Sequence, residues 1–490
     1  MSATVLGVVL AALCIRYAGS ATQLVQFVLV AGVFEAAAAF TIGGSGLQPG
    51  LVPGLTLIGL VTSQYMAGRR SIAEPTALRL LAPLLVLLAY AVVSAVLLPQ
   101  AFAGRIIVWP QRLDGIAPQP VPLAPGQGNM NQVFYLAVNI ALALSATLAL
   151  GRAGTRWRSL VMAYLLGGYL VVGLMAWEFA HRTLGVPYPT SVLQSNPGWS
   201  IVEQSLGFLP RLQGPFSEPS ALGFYMSGLC LACTGLCLRG QRILRADVLL
   251  VLGCAATFLS TSATGIASLA VGLPAMVAAN ALAGRGQSLR RLWRVLAMPL
   301  VGSVLLIVVA VLLHPPLADA LAGILESFLN KTDTDSFSER GGMNIVAWEA
   351  FLSSGGLGIG WGSTRSSSVL PGLLAGAGVI GAVTVVWFAG RLVSLVRQAR
   401  RRAAPDHPAL PAIAAFGSAL TGQLIAAIFA APVITTPIFY VQIGILAAAA
   451  IRIRIDSRVP AMASAPRPAR AMPAAVSSRL ARPMPAGRAR

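Results

Sequence analysis

A polar stretch late in the chain, residues 336–381, decides how the rest must be arranged: SFSERGGMNIVAWEAFLSSGGLGIGWGSTRSSSVLPGLLAGAGVIG. It places four charged residues, two tryptophans and a glycine-rich turn (355–363) between long apolar runs. Charged residues held at a membrane surface are costly, so they indicate a function. Glycines at this density let the backbone approach a ligand closely or turn sharply. The turn therefore either contacts a ligand or only changes the direction of the chain.

The composition around this stretch is that of a membrane protein. The chain has 490 residues, of which 56% are hydrophobic and 10% are charged, whereas a soluble domain carries about 25% charged residues. Many apolar runs are about 15–22 residues long, which is enough to cross a hydrocarbon core. We predict an all-α polytopic integral membrane protein with about 12–13 transmembrane helices.

The net charge of +20 comes almost entirely from arginines in short loops and in the tail. This asymmetry follows the positive-inside rule and indicates contact with membrane lipid, not nucleic acid. It predicts a transmembrane bundle over 1–451 with outer-face loops 99–131, 178–219 and 314–367. Residues 452–490 are rich in Pro, Ala and Arg and predict a disordered basic cytoplasmic tail. The sequence leaves open whether the first apolar run crosses fully.

Two further patterns concern the membrane surface and the membrane interior. Residues 316–331 have an amphipathic pattern that predicts a short interfacial helix in the third outer loop. Glu35 is a lone acid in the predicted span 23–42. It makes either a structural hydrogen bond inside the bundle or a functional contact. The predicted spans 159–177 and 369–390 are each followed by a polar or basic loop.

The outer-face arginines give the best indication of chemistry. The cytoplasmic loops are short and contain no nucleotide-binding motif, so any reaction is expected on the outer face. Arg211, Arg340 and Arg365 could bind phosphate through the planar guanidinium group. At a membrane surface, a lipid diphosphate is the simplest phosphate-bearing partner. It is also a leaving group that needs no nucleotide, and arginines would stabilise its developing charge.

Carboxylates and tryptophans complete the candidate site. Glu218, Glu339 or Glu349 could act as a general base on an incoming hydroxyl group, and we favour the first two as catalytic residues. Trp361 and Trp348 could stack on sugar faces. Each of these residues could equally form a surface ion pair or an interfacial anchor. No cofactor and no metal ion is expected.

Three segments, taken in order, resemble the bacterial O-antigen ligase and polymerase group of membrane glycosyltransferases. RLQGPFSEPSALGFYM (211–226) is similar to that family's Arg-x-x-Gly-x-Phe segment, which leads from an outer loop into a span. FLSTSATGIASLAVG (258–272) is similar to its short Ser-rich turn between two spans. The stretch 336–381 is similar to its third motif, with an Arg, a Trp and a Gly-x-Gly turn.

Two departures distinguish this chain within the family. The ligases have a His just after the glycine-rich turn, where this chain has Ser366 to Ser368. The short turn often carries an Arg, where this chain has Ala263. Both departures favour the exopolysaccharide or O-antigen repeat-unit polymerases over the ligases.

The resemblance implies a GT-C-like fold in the bacterial inner membrane. It implies a metal-independent polysaccharide polymerase, which joins oligosaccharide repeat units carried on undecaprenyl diphosphate at the periplasmic face. It also implies that Arg211 and Arg340 hold the diphosphate. Arg365 would lie near the acceptor or the second phosphate, with Ser366 in the same substrate-binding set. A chain-length regulator protein is a possible partner.

Three other functions stay open. A ligase of the same fold would transfer finished glycan to lipid A core. A lipid-linked glycan flippase or transporter would be expected to place polar groups inside its spans and to show repeated halves. Here the polar groups lie in the predicted outer loops. A structural or assembly protein of the membrane is the last alternative. Neighbouring genes for glycosyltransferases, a flippase and a chain-length regulator would distinguish these functions.

Overall fold

The structure is a computed structural model, and it describes residues 2–42, 45–110, 119–197, 205–206, 209–282, 297–313, 315, 318–319, 322, 335–430 and 436–458. The helices are α1 (Val5–Arg16), α2 (Ala21–Ala31), α3 (Leu51–Met66), α4 (Glu74–Ala101), α5 (Gln127–Leu150), α6 (Trp157–Leu184), α7 (Thr190–Leu193), α8 (Pro219–Leu238), α9 (Ala246–Leu259), α10 (Ala263–Leu282), α11 (Met298–Leu313), α12 (Asp335–Ser353), α13 (Val369–Arg402), α14 (Leu410–Ala430) and α15 (Pro437–Asp456). The strands are β1 (Ser2–Ala3), β2 (Phe40–Ile42), β3 (Ser45–Leu47), β4 (Ile107–Val108), β5 (Val121–Pro122), β6 (Ser205–Leu206) and β7 (Leu209–Pro210). They pair antiparallel as β1-β2-β3, β4-β5 and β6-β7.

The prediction of an all-α polytopic membrane protein is confirmed. In the described ranges, eight helices are long and apolar enough to cross a membrane: α4, α5, α6, α8, α10, α13, α14 and α15. Five apolar helices of 10–17 residues accompany them: α1, α2, α3, α9 and α11. The predicted 12–13 spans would require four or five of these shorter helices to cross as well. The first apolar run forms only the 12-residue helix α1.

Several helix ends differ from the boundaries that hydropathy predicts. α6 continues beyond residue 177 to Leu184 and ends at Gly185, whose φ of 70° is the left-handed conformation that terminates helices. α13 runs through the predicted basic loop as far as Arg402. The predicted span 23–42 is wrong, because α2 ends at Ala31 and a non-helical segment follows. Apolar character marks depth in the membrane, whereas glycine and local hydrogen bonds decide where a helix stops.

The predicted tail and the predicted third outer loop both contain more helix than the sequence analysis expected. α15 is helical to Asp456, so the predicted tail boundary at 452 is too early. The third predicted outer loop contains α12, a helix of 19 residues. The predicted interfacial helix at 316–331 lies almost wholly outside the described residues, and so does the tail from residue 459 onward.

Helix α8 lies at the centre of the bundle: 89% of its most apolar 18-residue stretch is buried inside the protein. It packs most extensively along α14. Small residues permit this close approach: a Cβ added at Gly422 would lie 2.3 Å from the Ser227 carbonyl oxygen, and one at Gly235 would lie 2.9 Å from the Ala414 carbonyl oxygen. Close backbone contact through small residues is typical of helix packing in membranes.

We call one end of the bundle the polar end, where α6, α9 and α14 finish and α8, α10, α13 and α15 begin. The Ser368 hydroxyl donates to the Ile428 carbonyl at 2.9 Å and joins the start of α13 to the end of α14. A small apolar cluster joins four helices here: Phe224, Val369, Ala426, Ala427 and Phe439. The basic end is opposite and carries the arginines of 69–70, 152–158, 239–245, 397–402 and 452–458.

The glycine-rich turn 355–363 packs against a kink in α13. Gly378 has φ 58° and interrupts the helix there. Gly358 has φ 82°, and a Cβ added to it would lie 2.7 Å from the Gly378 backbone nitrogen. The Ile359 amide donates to the Ala375 carbonyl at 2.7 Å. These glycines therefore allow one backbone to approach another, which accounts for them without a ligand.

Candidate functional site

Arg211 is anchored to the turn between α9 and α10. Its Nε donates to the Thr261 hydroxyl at 2.9 Å, and its Nη2 donates to the Thr261 carbonyl at 3.1 Å. Thr261 has φ 54°, a left-handed conformation that is unfavourable for a β-branched residue. The first two sequence motifs therefore meet at the polar end, and a strained turn orients this guanidinium group.

Arg340 lies close to Arg211, although the two belong to different segments. The pKa of Arg211 is lowered to about 10, first by burial and then by the charge of Arg340, while Glu218 acts in the opposite direction. Arg340 is partly buried on α12. One turn further along α12, Asn344 accepts from the Ser367 and Ser368 amides at 2.9 and 3.0 Å, which fixes α12 against the start of α13.

A buried carboxylate holds the segment that carries Arg211. Glu178, near the end of α6, is 2% exposed and accepts two hydrogen bonds from Arg182. Its second oxygen accepts from the Gln213 and Gly214 amides at 3.1 and 2.7 Å. We call Glu178, Arg182, Gln213 and Gly214 the Glu178 clasp. Sequence analysis placed Glu178 at the start of a loop and missed this function.

The two predicted catalytic carboxylates occupy different environments. Glu218 is partly buried, precedes Pro219 at the start of α8, and accepts a hydrogen bond from the Ser220 hydroxyl. It acts electrostatically on Arg211. Glu339 is exposed on α12. Adjacent residues of a helix are rotated by about 100° around its axis. Glu339 therefore lies on a different face of α12 from Arg340, which is the residue close to Arg211.

Glu35 joins this group from the non-helical segment after α2. Burial and then the Glu218 carboxylate raise the pKa of Glu35 to about 7, against an opposing effect of hydrogen-bond contacts with Ser217. The Oε2 atom of Glu35 is buried and has no hydrogen-bond partner among the described residues. We call Glu35, Arg211, Glu218 and Arg340 the charged cluster. The signal for Glu35 in the sequence was its isolation in an apolar run, but nothing there indicated its neighbours.

Three of the predicted substrate-binding residues lie in a segment that is docked on the loop between α4 and α5 and on the first turn of α5. The Arg365 amide donates to the Trp109 carbonyl at 2.9 Å. The Ser366 hydroxyl donates to the Ser368 carbonyl at 2.8 Å near the start of α13. Asn129 donates to the Trp361 carbonyl at 3.0 Å. This segment therefore has a clear structural role.

The two predicted sugar-stacking tryptophans differ sharply in exposure. Trp361 is 7% exposed and belongs to the main hydrophobic core, so its ring is not available to stack on a sugar, and that prediction is corrected. The reason is the docking of its segment, which turns the ring inward. Trp348 is 43% exposed on α12, 5.7 Å from the Phe351 ring. Its role in sugar binding stays a prediction.

The charged cluster combines two arginines and two carboxylates at the polar end. Such a set can bind an anionic group through the arginines and can accept a proton at a carboxylate. Within the described residues, no three His, Cys, Asp or Glu side chains group as a metal ion would require. No protein-family model matches the chain, and no curated protein shows a significant match to it.

Proposed function

We propose that the protein is a membrane glycosyltransferase that polymerises oligosaccharide repeat units carried on undecaprenyl diphosphate. The observation that carries this proposal is the convergence of Arg211 and Arg340 at the polar end of a membrane-spanning bundle. The arginines come from separate segments. Each is partly buried, and the positive charge of Arg340 lowers the pKa of Arg211.

Two like charges brought close together destabilise a fold; the Glu218 carboxylate offsets part of this repulsion, and a bound anion would offset it further. A lipid diphosphate provides that anion at a membrane surface. Its phosphates accept several hydrogen bonds from guanidinium groups, and its lipid chain can lie along the bundle. The polar end would then face the periplasm of a bacterial inner membrane, because the arginines of the opposite end follow the positive-inside rule.

The reaction fits this arrangement. The anomeric carbon of the donor sugar is attacked by a hydroxyl group of the acceptor, and its bond to the diphosphate breaks. Arginines that hold the diphosphate stabilise the negative charge that develops on the leaving oxygen. Lipid diphosphate is released into the membrane, and the glycan grows by one repeat unit.

Deletion of the gene in its source bacterium, followed by complementation, tests this proposal. We expect the deletion strain to accumulate single repeat units on the lipid carrier. Arg211→Ala or Arg340→Ala should not restore polymer, and the Lys variants should restore it only partly because an ammonium group lacks the guanidinium geometry. Arg70→Ala is a matched control, since Arg70 lies at the basic end with its side chain 69% exposed.

The same strains separate the alternatives. A ligase deletion would leave long polymer on the lipid carrier. A flippase deletion would leave single repeat units that an impermeant glycosidase cannot reach in spheroplasts. Normal polymer from the double Ala variant, at wild-type protein level, would contradict the proposed mechanism.

A further inference from the structure

The segment that carries Glu35 is fixed on three neighbours. The Ala36 amide donates to the Pro215 carbonyl at 3.1 Å, and the Ala38 amide donates to the Ser195 hydroxyl at 3.0 Å. The Asn196 amide donates to the Ala36 carbonyl at 3.0 Å. These bonds directly follow Glu35 in the chain, and Ser217 contacts its carboxyl group, so its side chain has a defined position beside residues 215–218.

The charge environment of Glu35 is equally specific. On the segment 211–218, Glu218 acts directly on it, and Arg211 is coupled to both Glu218 and Arg340. Ser195 and Asn196 bring no titratable group. Glu178 and Arg182, at the end of α6, pair with each other. Among the described residues, Glu35 is therefore a buried carboxyl group whose pKa is raised by a second carboxyl group, that of Glu218.

A carboxyl group in this environment is unsuited to a purely structural role. Structural carboxylates are satisfied by hydrogen bonds, as Glu178 is in this protein. Glu35 instead keeps one buried oxygen for which the described part of the chain supplies no partner. Such an oxygen has an unused acceptor position, which a ligand hydroxyl group would occupy on reaching it and to which it would transfer its proton.

We propose that Glu35 is a further catalytic residue of this site, the general base that takes the proton from the acceptor hydroxyl during glycosyl transfer. The inference rests on the proposed function and deepens it. It replaces Glu339 in that role and leaves Glu218 as the neighbour that tunes Glu35.

The step balances within the site. The acceptor oxygen forms a bond to the anomeric carbon, and its proton passes to the Glu35 carboxylate. The bond between the anomeric carbon and the diphosphate oxygen breaks, and its electron pair stays on the diphosphate. The arginines hold that charge, and Glu35 later releases its proton to water. No oxidant, reductant or metal ion enters the balance.

The expected pH dependence follows from the sign of the pKa shift. Glu35 must be ionised to accept a proton, and its pKa is raised to about 7. The kcat/KM should therefore rise with pH and reach half of its maximum near pH 7, because this ratio reports ionisations of the free enzyme. The rising limb should be absent in Glu35→Gln.

Stability should change in the opposite sense. A carboxyl group with a raised folded pKa stabilises the fold below its unfolded pKa, and this stabilisation is lost as pH rises through the folded pKa. Wild type should thus lose thermal stability as pH rises from about 4.5 to about 7, with no further loss from this group above pH 7, whereas Glu35→Gln should lack this change. This measurement also shows whether the Gln variant is folded, without any activity assay.

The experiment uses the full chain in nanodiscs with lipid-linked repeat units extracted from the deletion strain. Glu35→Gln should lower kcat roughly a hundredfold, leave KM within a few-fold, and bind undecaprenyl diphosphate like wild type. Glu35→Asp should keep a weaker rate with the rising pH limb. Glu74→Gln, the same change at the basic end, should behave as wild type.

Two failures can be told apart. A Glu35→Gln variant with the wild-type rate and pH limb overturns the role of Glu35 and leaves the proposed function intact. A wild-type protein that neither elongates the repeat unit nor binds undecaprenyl diphosphate overturns the proposed function, and the role of Glu35 with it.

Discussion

The Glu178 clasp and the charged cluster lie side by side at the polar end, and each contains a buried carboxylate. In the clasp, Glu178 has an arginine on one oxygen and two amides on the other. In the cluster, Glu35 has a like charge nearby and one oxygen without a hydrogen-bond partner within the described ranges. The satisfied carboxylate positions a segment of the chain. The carboxylate of Glu35 keeps an oxygen that can accept a proton. This difference in hydrogen bonding separates a structural carboxylate from a functional one.

The largest effect that distinguishes the two regions is expected at the clasp. Glu178→Gln removes the charge that Arg182 and two backbone amides face, which should cost about 3 kcal/mol of unfolding free energy. The matched control is Glu74→Gln in the pair Arg70–Glu74, which has the same i,i+4 spacing but a 69% exposed arginine side chain. Its expected cost is about 0.3–0.5 kcal/mol.

Thermal denaturation of the purified variants measures this difference. Glu178→Gln should have a clearly lower melting temperature than Glu74→Gln, while Glu35→Gln should be no less stable than wild type at alkaline pH. Equal melting temperatures for Glu178→Gln and Glu74→Gln would remove the structural role assigned to the clasp.

A smaller effect is expected at Thr261, which joins the cluster to the α9–α10 turn. Thr261→Gly removes one acceptor of Arg211 but relieves a backbone conformation that glycine adopts freely. Polymer formation should fall about tenfold, because one hydrogen bond to a charged group is worth about 1.5 kcal/mol. Stability should be unchanged or higher.

Thr261→Ser keeps the hydroxyl group and is the control for this change. It should retain nearly all of the activity. If Thr261→Gly loses activity and stability together, the turn is a structural element and does not serve to orient Arg211.

The helical membrane architecture followed from the sequence, because apolar runs and arginine asymmetry report the membrane directly. Helix ends did not follow. The end of α6 depends on Gly185, and the non-helical segment after α2 is held by contacts of Ala36 with Pro215 and Asn196. Hydropathy carries neither kind of information.

For the candidate site, the chemistry of each residue type could be used to select candidates from the sequence. Which of them are buried or adjacent in the fold could not be predicted. The arginines were identified because arginine at a membrane surface suggests phosphate. Trp361 was misjudged, because its burial depends on docking against Asn129 in the first turn of α5, which is distant in sequence. Glu35 was noticed but left undecided, since its proximity to Glu218 is a property of the fold alone.

A direct measurement of undecaprenyl diphosphate binding tests the central claim, which is that Arg211 and Arg340 bind the same diphosphate group. Wild-type protein in nanodiscs should bind it more tightly than undecaprenyl monophosphate. Arg340→Ala should weaken diphosphate binding by about tenfold or more and should reduce the preference over monophosphate, since each charge-assisted hydrogen bond is worth about 1.5–3 kcal/mol. Arg340→Ala binding as tightly as wild type, or a wild type without preference for the diphosphate, would contradict the account.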